Sequence, residues 1–497
     1  RATIFKIRHA HITWQRQCRM RRGEREGIEY FAISRQTPVK LVAVPGRRAG
    51  GFIIGLCGGH VPLAAGLVGR ADALALAPIG RRRRLFRLLR HEYGESAVVY
   101  ARNYTDIDDR IIKAAIEQSV PIATITDKFK AIYDADIAAL GVLSPTLSPR
   151  ATQHVDGMIA LIQELIESGA AYKVATGVYF AVAQDTDYGK LSGRAQEEMQ
   201  AGARVEGEDD KRHPSDFALW KTTKPGEPSW EAPFGAGRPG WHIECSAMIE
   251  AELGSPIDIH GGGIDLIFPH HENEIAQSET AHGHPLARVW MHNGFLTMER
   301  EKMSKSLGNI VTVHDLLEQG WQGETLRWAL LSAHYKAPLD FGEEVLKQSQ
   351  ASLDRLYGAL LRLKHVPAPP LKDESAPLKA FRAALADDLN TPEAIAELYA
   401  LATAANIATR TDHQARAKAE LMAAANVFGI LHDDPEHWFR ASFGEQAARE
   451  IDALVTERTA ARANKDFATA DRLRTVLADR GVEVMDGPAG STWRRRG

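Results

Sequence analysis

The sequence predicts an α/β fold, with an open and mostly parallel sheet interrupted by an insertion, followed by an α-helical part and a small C-terminal unit. Three observations carry this expectation. Short apolar or β-branched runs alternate with helical periodicity between Leu85 and about Asp340, a mixed segment breaks that alternation midway, and Ala- and Leu-rich helical periodicity takes over afterwards. At 497 residues the chain is too long for one simple core, so about two to four domains are expected.

The helical pattern LFRLLRHEYG stops at Gly94, and the β-branched run in SAVVYARNYTDIDDR reads as a strand with Asn103 to Asp109 at its carboxyl end. Ligands bind at such ends in open α/β sheets. Within the insertion, TQHVDGMIALIQELIESG reads as a helix and AYKVATGVYFAV as a strand pair. The loop KPGEPSWEAPFGAGRPG then runs into the helix WHIECSAMIEAEL. SPIDIHGGGIDLIF reads as a buried strand broken by three glycines, and PHHENEIAQSETAHG as a helix with Pro269 in its first turn. VWMHNGFLT is a short strand and EREKMSKSLGN a polar loop. EEVLKQSQASLDRLYGALLRL and AIAELYALATAANIA are helices, with HVPAPPLK as a link, and from about Ala447 a charged helix pair leads to VEVMDGPAGSTWRRRG.

Cys18, Cys57 and Cys245 lack the short even spacings of a disulfide framework, so a reducing compartment, the cytoplasm, is expected. No stretch has the form of a secretory signal. Residues 50–69 reach the length of a membrane span, but seven glycines, a His and a Pro make a poor helix, and no membrane association is expected. The net charge of −3 averages two unlike parts: residues 1–90 carry +15 and the remainder −18. A basic arm for nucleic acid is one reading of the basic part.

The strongest chemical constellation is Cys245, His270 and Glu274. His and Glu four apart on a helix project from one face, and a thiolate from a second helix would complete three of the four tetrahedral positions around Zn2+. The bland readings are a small buried hydrophobe for Cys245 and a surface helix pair for the other two.

The motifs NYTDIDDRII, GWHIECSAM, DIHGGGIDLIFPHHENEIAQSE and EKMSKSLGN stand in the order and approximate spacing found in cysteinyl-tRNA synthetases, which the chain resembles from about residue 85 onward. The resemblance implies a class I Rossmann-like catalytic domain with an inserted connective domain, an α-helical anticodon-binding domain and a small C-terminal unit. On that basis the first half of the catalytic domain continues over 85–126, the connective insertion spans 127–221, and the second half with the zinc site spans 222–300. Residues 301–345 hold the KMSKS loop and stem-contact region, 346–435 the helical domain and 436–497 the C-terminal tRNA-binding unit. The implied reaction is ATP-dependent activation of L-cysteine to cysteinyl-adenylate, with transfer to tRNA(Cys). Cys245, His270 and Glu274 would hold one Zn2+ per chain, which binds the substrate thiolate. That suits the problem, because shape alone rejects serine only weakly, whereas zinc prefers sulfur.

Lys302-Met303-Ser304-Lys305-Ser306 matches the class I loop that closes over ATP. Its lysines Lys302 and Lys305 would stabilise charge on the departing pyrophosphate, with Lys305 as the ATP contact; a lone pair of loop lysines is usually just solvated. Gly263 and Asp265 resemble the ribose-binding turn, whose bland reading is a tight turn. Thr105 and Asp106 resemble positions near the amino acid. Trp241 resembles the wall of the cysteine pocket, against a bland reading of core packing. ATP would carry Mg2+, and a monomer is implied. At the C-terminus, Trp493 beside Arg494 to Arg496 suits stacking on an unpaired base, unless the segment is only a frayed basic tail.

Residues 1–84 depart from the pattern. The family's Cys-Gly-x-Thr strand motif and its His-Ile-Gly-His signature are not readable; Ile79-Gly80 lies near the expected place without either histidine, and Cys57 is farther from Thr105 than in the family. A run of GTC valine codons read one base out becomes CGT, arginine, which is what stands at Arg81 to Arg84. An out-of-frame origin of 1–84 is therefore preferred over an Arg-rich targeting segment, and whether Cys57 supplies the fourth zinc ligand stays open. Two other functions remain as alternatives: a catalytically impaired tRNA-binding protein, and a ligase joining cysteine to an amino sugar in mycothiol synthesis.

Overall fold

The computed structural model describes residues 52–56, 76–194, 210–298, 301–302, 311–441, 443–487 and 490–495. All of them fall within one unit, residues 32–497. Parallel strands need helical crossovers and bury both faces, and the first part of the chain obeys this. β1 (Phe52–Leu56) is followed by α1 (Leu76–Tyr93), β2 (Val98–Arg102), α2 (Asp109–Gln118) and α3 (Ile122–Ala139). The inserted unit contributes α4 (Val155–Glu167), β3 (Ala171–Val174), β4 (Gly177–Phe180), β5 (Phe217–Lys221) and β6 (Arg238–Pro239). The parallel part resumes with α5 (Trp241–Leu253), β7 (Ile257–Gly263), α6 (Glu272–His282) and β8 (Ala287–Asn293).

The main sheet is parallel throughout, in the order β2-β1-β7-β8. Its second strand lies within residues 1–84, the segment that departs from the family pattern. FIIGL, a short apolar run of the kind that fills a central parallel strand, lies between β2 and β7, with Leu56 opposite both Arg102 and Gly261. The helix expected from Leu85 also begins earlier, at Leu76, and runs through Arg81 to Arg84.

The insertion has its own antiparallel sheet, β3-β4-β5-β6. Its last strand lies beyond the expected boundary at Lys221, because Trp220 and Lys221 pair with Pro239 and Arg238. At the other end, α3 packs through Ile125, Tyr133 and Ile137 with Val313, Leu316 and Leu326 rather than with the insertion, so the segment from 127 belongs with the catalytic part. The insertion's core (Leu161, Phe180, Leu219) is continuous with Ile243, Met248 and Ala276 of α5 and α6.

Next come β9 (Leu296–Met298), β10 (Glu301–Lys302), α7 (Val313–Glu318), α8 (Gly323–Leu331) and β11 (Leu339–Asp340). The rest is helical: α9 (Glu343–Arg362), α10 (Ala376–Ala386), α11 (Thr391–Ile407), α12 (Thr411–Phe428), α13 (Pro435–Ala441), α14 (Glu445–Ala463) and α15 (Phe467–Asp479), ending in the hairpin β12 (Val482–Gly487) and β13 (Gly490–Arg495). Side-chain caps set several of these starts: Ser375 and Asn390 accept from backbone N–H groups of α10 and α11, each with a proline in the first turn. Among the described residues no helix is long and apolar enough to cross a membrane.

The C-terminal hairpin corrects the expectation for Trp493. Its ring is buried, packs edge-on against Phe443 and donates its Nε1–H to Asp452 at 2.8 Å, so it cannot stack on a base. Nor is Arg495 part of a frayed tail. Arg495 reaches back to α9, donating Nε and Nη2 to Asp354 at 3.0 and 2.6 Å, and the buried Trp438 donates to the same carboxylate at 2.8 Å. Asp354→Ala removes an acceptor shared by a guanidinium and a buried indole. It should lower the stability of the C-terminal half by about 3 kcal/mol and release the hairpin to proteolysis. Thermal melting and limited digestion measure this, and wild-type behaviour in both would show that the node contributes nothing.

Candidate functional site

α5 and α6 lie side by side and are buried over most of their length, so their polar side chains must find partners inside. Phe268 is extended, the chain winds from there into α6, and His270 and Glu274 end up one above the other. His270 Nε2 lies 2.7 Å from one Glu274 oxygen, and His260 Nε2 of β7 lies 2.7 Å from the other. Cys245 faces the same point from α5. The ligand atoms of Cys245, His270 and Glu274 all lie within 4.8 Å of one another, and all three residues are buried.

Neighbouring groups orient this trio. His270 turns its Nδ1 to His242 at 2.9 Å, Trp241 stacks on the His270 ring at 4.2 Å, and Asn103 Nδ2, from the loop after β2, lies 3.5 Å from the Cys245 sulfur. Burial alone would discharge His270, but the Glu274 carboxylate and the Cys245 thiol outweigh it and push its pKa up to about 10. Burial would likewise raise Glu274, yet His270 and His260 hold it well below the carboxylate range. A buried thiol, imidazole and carboxylate converging on one point are the donors of a divalent, sulfur-tolerant cation, and the fit is good.

The three glycines of β7 are not a turn, which corrects the sequence reading. They continue the strand, with Gly261 opposite Met291 and Gly263 opposite Asn293. At Gly262 a Cβ would come within 2.7 Å of His271 Nε2, so the missing side chain is what lets that ring lie on the strand. Burial keeps the His271 pKa well below the usual range, and its Nδ1 meets His292 Nε2 at 2.8 Å.

Beyond the ends of β7 and β8 a cavity of about 650 Å3 opens, lined by Asp265, Phe268, Trp290, His292, Tyr335 and Arg194 among others. That size suits a small-molecule ligand. Asp265 therefore faces a ligand-sized space. Thr105 and Asp106 are buried beyond β2, but both Asp106 oxygens accept from Thr152, its N–H at 2.9 Å and its hydroxyl at 2.7 Å, which gives that carboxylate a structural partner in the insertion. Lys302 pairs with Thr297 in β10. Lys305 and Cys57 lie outside the described residues; Cys57 follows directly on Leu56, the β1 residue paired with Gly261. Sequence reasoning missed His242, His260 and Asn103, whose spacing along the chain gives no signal of their meeting. The Asp-Ile-His preceding the glycines was the one available hint for His260.

The model of the class I (C) tRNA synthetase catalytic domain matches residues 76–351, a DALR domain matches 380–432, and a cysteinyl-tRNA ligase anticodon binding domain matches 446–494. The cysteine–tRNA ligase of Hyphomonas neptunium is 56% identical over 417 residues, 83% of this chain and 89% of that protein. That of Caulobacter vibrioides is 54% identical over 416 residues, with the same coverages. Among solved structures, Mycobacterium tuberculosis methionyl-tRNA synthetase with methionyl-adenylate is similar at TM-score 0.51 and 15% identity, covering 82% of this chain and 94% of that one. The LeuRS–tRNA–LeuAMS complex of Agrobacterium radiobacter is similar at TM-score 0.52 and 11% identity, covering 81% and 86%. At these identities the structural likeness shows the fold.

Because His260 holds the Glu274 carboxylate from the side of β7, His260→Ala should weaken any zinc binding at this trio about 10–100-fold, read by equilibrium dialysis against a chelator; unchanged affinity would remove His260 from the site. Cys57→Ser in the same assay reports whether a second thiolate takes part as a fourth ligand.

Proposed function

We propose, from the premise that this chain belongs to the cysteinyl-tRNA synthetases, that the buried trio and the adjoining cavity are where cysteine and ATP meet. The family's reaction has two steps. A cysteine carboxylate oxygen attacks the α-phosphorus of ATP, breaking its bond to the bridging oxygen and releasing pyrophosphate. A ribose hydroxyl of tRNA(Cys) then attacks the activated carbonyl carbon and releases AMP. The observation that carries the assignment is the convergence of Cys245, His270 and Glu274 beside Trp241, with Phe268, two residues before His270, lining the cavity.

Zinc, held by Cys245, His270 and Glu274, would supply a sulfur-preferring contact that separates cysteine from serine. The chain's own residues do the rest. Trp241 closes one side of the amino-acid pocket over His270. Asp265 faces the cavity where a ribose hydroxyl can be accepted, and Lys302 and Lys305 bring positive charge to the leaving pyrophosphate, with Mg2+ accompanying ATP. The anticodon-binding match at 446–494 favours tRNA over an amino sugar as the acceptor. In that unit Phe467, at the start of α15, is the large apolar side chain most open to solvent, at 63% exposure, and it takes over the base-stacking role first given to Trp493.

Cysteine-dependent ATP–pyrophosphate exchange and charging of tRNA(Cys), both with serine as the competing substrate, test the assignment; equal use of serine would sink the metal-based selectivity. Lys305→Ala should slow exchange about a hundredfold while leaving cysteine affinity nearly intact, and equal losses in both would count against a role in the transition state. Phe467→Ala should weaken tRNA(Cys) binding by about tenfold with exchange unchanged, measured by filter binding. A parallel fall in exchange would make it a structural residue.

A further inference from the structure

The turn before α6 and the start of that helix hold more than His270 and Glu274. Glu272, buried to 1% exposure, accepts three backbone N–H groups of the insertion: Gly189 at 3.1 Å and Leu191 at 3.2 Å on one oxygen, and Ser192 at 2.8 Å on the other. Gly189 has φ +99°, a conformation side-chain-bearing residues rarely adopt. Beside it the Tyr188 hydroxyl donates to Asn273 at 2.5 Å, and Lys190 pairs with Glu279. Successive N–H groups wrapped around a carboxylate form an anion nest, with the anion here supplied by the protein. The segment 188–192 is thus pinned to the helix that carries Glu274.

Residues 190–194, which continue from the pinned backbone, form one wall of the 650 Å3 cavity, and the last of them, Arg194, holds its guanidinium over the Phe268 ring at 4.7 Å. Of the cations lining that cavity, Lys190 is paired with Glu279 and Lys336 with Asp388, and among the described residues Arg194 has no carboxylate within ion-pair distance. An arginine stacked on an aromatic face keeps its N–H edge free for an anion, and phosphate matches that edge. Asp265 and Arg194 thus give the cavity one group for a hydroxyl and one for a phosphate.

We propose that Arg194 is a phosphate-contacting residue of this cavity and that Glu272 is the positioning residue that sets it there by fixing the 189–192 backbone. This rests on the ligase reading, and the phosphate belongs either to ATP or to the single-stranded 3′ end of tRNA.

Equilibrium binding to the full chain tests it without relying on turnover, with three probes: Mg·ATP, intact tRNA(Cys), and tRNA(Cys) lacking its 3′-terminal CCA. Arg194 is exposed, so Arg194→Ala leaves the core intact. It should raise one dissociation constant about tenfold and reduce the salt slope of that binding by about one, with partial rescue by Arg194→Lys. Loss for ATP assigns the nucleotide phosphate, and loss for intact but not truncated tRNA assigns the 3′ end. No change with any probe overturns the proposal. Glu272→Gln should reproduce the same loss while zinc stoichiometry stays at the wild-type value; zinc lost together with affinity would show that Glu272 supports the metal helix and overturn its positioning role. If the unmodified chain binds neither ATP nor tRNA, the ligase reading itself fails.

Discussion

A carboxylate removed from water must be surrounded by donors or cations, and Glu274, with no exposure at all, imposes that requirement on everything around it. His260 answers from β7 and His270 from the turn before α6, so satisfying one side chain locks helix to sheet. Cys245 brings α5 to the same point, and Asn103 brings the loop after β2. Glu272, two residues earlier and almost as buried, makes the same demand and meets it with backbone N–H groups of the insertion. Two buried acids half a helical turn apart thereby tie the parallel sheet, α5 and the inserted unit together.

The helical part is joined to the catalytic part by a shared core rather than by a linker. Leu88 and Leu89 of α1, Tyr100 of β2 and Ile259 of β7 pack in one apolar cluster with Leu356, Phe381, Phe428 and Trp493. Arg327, buried in α8, donates to the carbonyls of Phe428 at 2.7 Å and Leu140 at 3.4 Å, and Arg87 donates to Gly141 at 2.9 Å. These carbonyls lie at the ends of α12 and α3, where unpaired acceptors and the negative end of the helix dipole favour a guanidinium. Burial, with Arg87 as a cationic neighbour, brings the Arg327 pKa down to about 9. The unit that matches an anticodon-binding domain thus shares one apolar core with α1 and with strands of the main sheet.

The readings that failed did so for identifiable reasons. Gly261-Gly262-Gly263 looks like a turn because glycine marks turns, but these glycines serve close approach of His271 to an extended strand. Trp493 looks available because it adjoins a basic C-terminus. β pairing with Val484 and a hydrogen bond to Asp452, 41 residues away, turn it inward. FIIGL stands inside the anomalous N-terminal segment, yet four apolar residues in five suffice for a central strand once β2 and β7 offer their edges.

The sequence by itself determined the α/β class, the helical C-terminal part, the family, and the pairing of His270 with Glu274, because these rest on periodicity, on motif order and on residues four apart along one helix. Only the tertiary structure decided that Asn103 and His260 join Cys245, His270 and Glu274, that Asp106 is tied to Thr152, and that Glu272 holds the insertion. Each of those contacts spans between 14 and 142 residues of chain and exists because packing strands and helices brings their ends together, a coincidence in space that no local pattern encodes.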